Sequence, residues 1–519
     1  MTFNKKSNLF LAFSLIIAIF VFLKNAWVSD DSYILFRSIE QLFEGNGPIW
    51  NPHERVQVFT SPLWFWLLSF VRIFSSDVYL NAIMMSLFVW ILTVFILNKL
   101  FINKTILLVS IFLFTASTAF FDYTSSGLEN VLAYYFIALY LLNYIRLFSL
   151  GAESMKKRIK IVFLLFGVII CVRHDLAVLL LPSTIYVMRT RLQSFPPKKW
   201  IIIVLAALSP FVLWSLFSLL YYGFPFPNTA YAKLNTGIDK IEIFKQGAKY
   251  FFSSLRFDTI TLVVIGISLI LSFTNSTGSH LKYLGYGIIF NLLYIAYVGG
   301  DFMQGRFLSY AYMVSVILLL LLLDKNPRFK VKPAVWLAIV LYLLLYPHTP
   351  FNSLLNYRNP QIVMGIADER GFYFRNTSLF RYFVTHRKSE VFPSHPWSFE
   401  GLQFKKHSDI IRVFQAIGFY GYWSGTNKII VDPYALSNPL LARMPVRKQW
   451  RVGHYPRDIP GGYIESIINN NEVIADKQIN EFYKKLKIIT QSDELFTMER
   501  VKTIILFNIG AYNHLLQNM

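Results

Sequence analysis

Two adjacent carboxylates, Asp30 and Asp31, stand in Val28-Ser-Asp-Asp-Ser-Tyr-Ile-Leu-Phe-Arg37, just after the first long apolar run. Charges at a membrane surface are costly unless they pair, bind a metal or take part in chemistry. Neighbouring residues on a helix point about 100° apart, so the two carboxylates meet different surroundings and suit different tasks. One is a candidate general base for an acceptor hydroxyl. The other is a candidate to order the first or to bind a divalent cation such as Mg2+ or Mn2+. A plainer reading is a helix N-cap, because Ser29-Asp30-Asp31-Ser32 precedes a helical-looking stretch and a cap needs only one such residue.

Further polar stretches interrupt apolar sequence. In Glu44-Gly-Asn-Gly-Pro-Ile-Trp-Asn-Pro-His-Glu-Arg55, Gly45, Gly47, Pro48 and Pro52 mark tight turns. Glu54 and Arg55 there would orient a sugar or phosphate, or brace the loop. In Tyr221-Tyr-Gly-Phe-Pro-Phe-Pro-Asn-Thr-Ala-Tyr-Ala-Lys233, the Asn228 amide suits a sugar and Lys233 suits a phosphate. In Gly299-Gly-Asp-Phe-Met-Gln-Gly-Arg-Phe307, glycines allow close backbone approach to a ligand, and Arg306 is a bidentate phosphate ligand unless it pairs with Asp301. Arg173-His174-Asp175 lies deep between apolar runs, where ionisable residues are functional candidates. A structural Arg–Asp pair competes with that, and His174 alone suits hydrogen bonding better than metal binding. Near the C-terminus, Asp432, Arg443, Trp450 and His454 are candidate acceptor contacts that read equally well as core or turn residues. No Walker A loop, dinucleotide fingerprint, His-Glu-x-x-His, Gly-x-Ser-x-Gly or cysteine cluster is present.

The elements that must position these groups are membrane helices. Hydrophobic residues make up 55% of the 519 and charged residues 15%, with a mean hydropathy of +0.45; a soluble domain carries about 25% charged residues. Eleven apolar runs are predicted to span: 8–23, 78–98, 105–121, 128–148, 160–172, 175–190, 200–222, 258–274, 281–298, 307–323 and 333–346. The run 62–74 is short, carries Arg72 and is expected to be interfacial or re-entrant. Past Pro347 the apolar runs stop. This predicts a polytopic α-helical membrane domain over 1–346 and an extracytoplasmic soluble domain of α/β type over 347–519. The net charge of +21 falls largely in short loops, where it orients helices and attracts anionic lipid rather than nucleic acid. Those basic loops, including 324–332, fall on one side; every polar motif above falls on the other. The first helix lacks a small-residue cleavage site and reads as a retained anchor. The lone Cys171 permits no intrachain disulfide.

These motifs, in this order, resemble those of the mycobacterial terminal β-(1→2)-arabinofuranosyltransferases and their Gram-negative relatives. The resemblance runs through Asp30-Asp-Ser-Tyr-Ile34, residues 44–56, Thr60-Ser-Pro-Leu-Trp64, residues 222–233 and residues 299–307. It continues in Val431-Asp-Pro433, residues 439–445, Trp450-Arg-Val-Gly-His-Tyr455 and residues 459–465. It implies a GT-C fold with its active site on the extracytoplasmic face of the bacterial inner (cytoplasmic) membrane. It also implies a polyprenyl-phosphate-linked arabinofuranose donor, a cell-envelope glycan or glycoprotein acceptor, and Asp30 or Asp31 as the catalytic carboxylate. The chain departs from the pattern at Phe226, where relatives often carry Leu, and at His53, where Gly is common. The reading from another class is a transporter or flippase of lipid-linked saccharide, for which charges at mid-membrane in repeated halves are expected; no internal repeat is present.

Overall fold

Backbone polar groups in lipid must be satisfied within their own segment, so long apolar runs fold as helices. The computed structural model describes residues 5–101, 103–149, 152–191, 195–234, 236–274, 278–324, 333–352, 362–388 and 390–516. Sixteen helices precede the first strand: α1 Lys5–Asn25, α2 Asp30–Phe43, α3 Pro62–Arg72, α4 Val78–Leu100, α5 Lys104–Ala116, α6 Thr118–Phe121, α7 Asn130–Leu147, α8 Ala152–Val172, α9 Leu176–Arg191, α10 Pro197–Tyr221, α11 Asn228–Leu234, α12 Lys240–Phe257, α13 Thr259–Thr274, α14 Ser279–Tyr297, α15 Leu308–Asp324 and α16 Pro333–Leu345. Then follow β1 Ile362–Val363, β2 Ile366–Ala367, α17 Glu369–Thr377, α18 Leu379–Arg387, α19 Pro396–Lys406, β3 Ile411–Val413, α20 Phe419–Trp423, β4 Ile429–Val431, α21 Tyr463–Ile468, α22 Lys477–Thr490 and α23 Met498–Asn508.

Each of the eleven predicted runs carries a helix. Among the described residues, α1, α4, α7 and α10 are long and apolar enough to cross a membrane alone; two bent pairs, α5 with α6 and α12 with α13, pass the same test together. The run at 62–74 forms α3, whose Ser61 side chain caps the amide of Trp64 ahead of Pro62. The basic segment 325–332 lies outside the described residues.

Contacts divide the chain into two compact units. The first comprises residues 1–29, 77–211 and 240–381. In it α7 packs on α4 and α8, α14 on α9, and α13 on α15. A Cβ at Gly287 would sit 2.0 Å from the Leu179 carbonyl oxygen, so α14 and α9 meet backbone to backbone, as small residues permit between membrane helices. Strands β1 and β2 pair antiparallel here.

The second unit comprises residues 30–76, 212–239 and 382–519. Strands β3 and β4 pair parallel. One apolar core gathers Leu440, Leu441, Phe482, Leu486 and Ile489 with Phe224 and Ala232; another gathers Ile34, Trp50 and Val58 with Phe404 and Tyr420. The division does not follow the composition break at 346/347. Segments 30–76 and 212–239 pack with the C-terminal residues because their apolar side chains complete these cores.

Arg500 fixes the end of α10 within this unit. Its side chain is fully buried and donates to the carbonyls of Leu220 at 2.7 Å, Tyr221 at 2.9 Å, Ile489 at 3.0 Å and Leu495 at 2.8 Å. Leu220 O and Tyr221 O are last-turn carbonyls that α10 cannot satisfy itself. Arg500→Ala should destabilise the protein by about 2–4 kcal/mol, since several buried acceptors lose a charged donor at once. Thermal unfolding in detergent reads this; an unchanged midpoint would remove the clamp.

Candidate functional site

The carboxylate pair opens α2, and the docked face of that helix holds Asp30. Asp30, Arg37 and Gln41 recur at helical spacing and all bind the segment 417–428. Asp30 accepts from the amides of Phe419 at 2.7 Å and Gly418 at 3.2 Å. The buried Arg37 donates to the carbonyls of Trp50 at 3.0 Å, Lys428 at 2.6 Å and Gly421, with its guanidinium 4.4 Å from the Trp50 ring centroid. Gln41 donates to Trp50 O at 3.1 Å and Thr426 O at 2.8 Å. Tyr33 meets Phe419 and Tyr422 edge-on. Gly418 makes the approach possible, because a Cβ there would fall 2.0 Å from the Asp30 carbonyl oxygen.

Asp30 therefore anchors a second helix start, at α20, through both carboxylate oxygens. Burial raises its pKa to about 7, offset in part by the Phe419 and Gly418 amides and reinforced by the Asp31 charge. Asp31 is half-buried. The N-cap reading thus holds for Asp30 in an altered form, since it caps the turn at 418–419 rather than its own helix. Among the described residues no group of three or more His, Cys, Asp or Glu side chains could hold a metal ion.

The other candidates in this unit are tied into its packing. Asn228 donates to Ala435 O at 2.9 Å and Leu436 O at 3.0 Å, and accepts from Arg443 at 3.4 Å. Arg443 sits over the rings of Phe224 and Tyr231 and donates to Pro439 O at 2.7 Å. Asp432 is fully buried and closes a turn by accepting from Tyr434 N at 2.8 Å and Leu436 N at 2.7 Å. Arg55 donates its guanidinium to Ser492 O and its amide to Thr490 O at 2.8 Å. Trp450 packs on Tyr455, and His454 meets Tyr434 edge-on. Burial, with Arg451 and Lys233 nearby, pushes His454 down to about 3, so it is neutral in the folded protein at ordinary pH. Lys233 is half-buried at the end of α11. Asn228, Arg443, Asp432 and Arg55 thus all make hydrogen bonds within the protein. His53 has φ of +63°, a left-handed conformation that glycine adopts without strain.

Burial also raises Glu54 and Asp432 to about 7. A carboxyl raised in the fold contributes stability in full below its unfolded pKa, about 4, and loses it as pH rises through the folded value. The unfolding midpoint should therefore fall as pH rises from about 4 to about 7. Glu54→Gln, which cannot ionise, should flatten that fall; equal slopes in both proteins would contradict the assignment.

In the first unit the sequence candidates converge on a residue that was not singled out, Glu129. It accepts from Arg173 at 2.8 Å and Arg306 at 3.2 Å. Arg173 is also held bidentately by Asp175, at 2.9 and 2.8 Å, and lies over the rings of Phe307 and Tyr310. Asp301 is 3.7 Å from Arg306. Two guanidiniums thus face three carboxylates. The glycines of 299–307 approach protein: a Cβ at Gly300 would meet the Tyr250 ring at 2.5 Å. His174 stacks edge-on against Phe211. The signal for Glu129 was an acid heading an otherwise apolar run, Glu129-Asn-Val-Leu-Ala-Tyr134.

No family model matches the chain. It is 50% identical over 38 residues to a terminal β-(1→2)-arabinofuranosyltransferase of Corynebacterium glutamicum, covering 7% of this chain and 6% of that protein. It is 45% identical over 42 residues to the enzyme of the same name from Mycobacterium tuberculosis, covering 8% and 7%. The matched stretches are therefore a small fraction of the curated relatives' length. The solved structure of ArnT from Cupriavidus metallidurans, bound to undecaprenyl phosphate, superposes with a TM-score of 0.54 at 13% identity, over 83% of this chain and 87% of that one. The chain thus shares the fold of that protein, and its long apolar helices make it a helical membrane protein.

Proposed function

We propose that this chain is a membrane glycosyltransferase that moves a sugar, D-arabinofuranose, from a polyprenyl-phosphate donor to a cell-envelope glycan or glycoprotein. The transfer takes place on the extracytoplasmic face of the inner membrane. The observation that carries the reading is the carboxylate pair at the first turn of α2, where the Gly418 and Phe419 amides hold Asp30 beside Asp31. The likeness to a fold solved with undecaprenyl phosphate and the short matches to arabinofuranosyltransferases support the donor and the sugar.

In this mechanism the acceptor hydroxyl attacks the anomeric carbon of the donor. A bond forms from that carbon to the acceptor oxygen, and the bond to the phosphate oxygen breaks. The electron pair leaves with the polyprenyl phosphate, and the hydroxyl proton passes to the Asp31 carboxylate. Asp30 positions Asp31 by holding the first turn of α2. A cation placed beside the leaving phosphate neutralises it as the bond breaks; Lys233, Arg173 and Arg306 are the candidates for this role, the two arginines being held by Glu129, Asp175 and Asp301. The test is transfer from synthetic polyprenyl-phosphoryl-D-arabinofuranose to envelope acceptors by purified protein in liposomes. Transfer establishes donor and class together. Vectorial movement of the lipid without transfer would replace the enzyme by a flippase.

A further inference from the structure

We infer that α12 lies in the plane of the membrane surface, with an apolar stripe in the acyl boundary and a row of lysines on anionic lipid headgroups. The helix joins α13 through a bend of 108°. Because α13 is uncharged and apolar over its 16 residues, it is the half that enters the bilayer, which leaves α12 nearly perpendicular to it. Crossing by α12 itself is excluded by Lys240, Glu242, Lys245, Lys249 and Arg256 within 18 residues.

The buried face of α12 is fully used. Gly247 lets the helix touch α14, because a Cβ there would fall 2.4 Å from Ala296 O. Gln246 donates to Met364 O at 3.0 Å, and Tyr250 donates to Met303 O at 3.1 Å. The outer face carries the opposite of what water favours: Ile241 is 64% exposed, Phe244 55%, Phe252 55% and Leu255 45%. With the exposed Ala248 these fall at i, i+3, i+7, i+11 and i+14, a continuous stripe along one side of a helix. Lys245 and Lys249 form the adjoining exposed row, one turn apart. Glu242 is the helix's only acid, so the row is net positive. An apolar stripe beside a basic row, on a helix held parallel to the surface, is the pattern of an interfacial helix on anionic lipid.

The inference depends on the chain being embedded in a membrane and not on sugar transfer, so failure of the transfer assay leaves it standing. The test uses the full chain, with Cys171→Ser and single cysteines at 244, 249 or 252, spin-labelled in vesicles of phosphatidylcholine and phosphatidylglycerol. Labels at 244 and 252 should be reached by oxygen in preference to an aqueous nickel chelate, at a depth of about 5–10 Å; the label at 249 should show the reverse. Equal nickel access at all three overturns the inference. Strong dipolar broadening between chains at 252 also overturns it, in favour of a second copy on this face. Independently of cysteine replacement, K245E/K249E should at least halve the phosphatidylglycerol that co-purifies, with phosphatidylcholine unchanged. Unchanged phosphatidylglycerol would overturn the headgroup contact.

Discussion

Asp31→Asn should lower sugar transfer by about 10²–10⁴-fold, the usual contribution of a positioned general base, and leave the unfolding midpoint close to that of the parent protein. Asp30→Asn should show the opposite balance. Both Asp30 oxygens accept backbone amides, at 2.7 and 3.2 Å. An asparagine keeps one acceptor and turns an NH2 group against the other donor. Leaving a buried amide unsatisfied costs about 1–3 kcal/mol, so the midpoint should drop. Activity of Asp30→Asn should fall with the folded fraction and recover when the assay is cooled, because Asp31 remains. The decisive comparison is kcat against thermal midpoint for the two variants side by side. Transfer by Asp31→Asn within tenfold of the parent would remove Asp31 as base. A kinetic loss in Asp30→Asn that persists in fully folded protein would move the role to Asp30.

The helices were legible because each apolar run has the length and composition of a buried or lipid-facing helix, and such runs need no distant partner to be recognised. The same pattern placed 62–74 apart, and α3 begins at Pro62 and ends at Arg72. What was not legible depends on tertiary contact. Asp30 binds amides 388 and 389 positions away, so local sequence could suggest a cap but not which turn it caps. Asn228 and Arg443 each looked like a ligand residue; they meet one another across 215 positions. Composition marked where apolar runs end but not where cores close. Residues 366–377 hold buried Asp368, Glu369 and Arg370, which average composition reads as soluble surface although these side chains pack inside the first unit. Glu129 opens α7 as an ordinary helix start, and nothing local shows that arginines 44 and 177 positions away close on it.

Glu129 should prove the most costly single position in the first unit. Glu129→Gln keeps the volume and removes the charge that two buried guanidiniums share. Arg173 retains its bidentate Asp175, at 2.9 and 2.8 Å, whereas Arg306 is left with Asp301 at 3.7 Å. Removing one partner from a buried ion pair costs about 3–5 kcal/mol, because the remaining charge is stranded away from water. Most of that cost should therefore be carried by Arg306. Arg306→Met should also destabilise, and the double variant Glu129→Gln/Arg306→Met should cost less than the sum of the two singles. The non-additive part expected for groups in direct contact is about 0.5–3 kcal/mol. The same cycle separates the two readings of Arg306. A residue kept for the donor phosphate would, when replaced, raise KM for the lipid donor and leave the midpoint where it was. A residue kept for the network would lower the midpoint and couple to Glu129 with no donor present. With three carboxylates already around two guanidiniums, the second outcome is the one the charge balance requires.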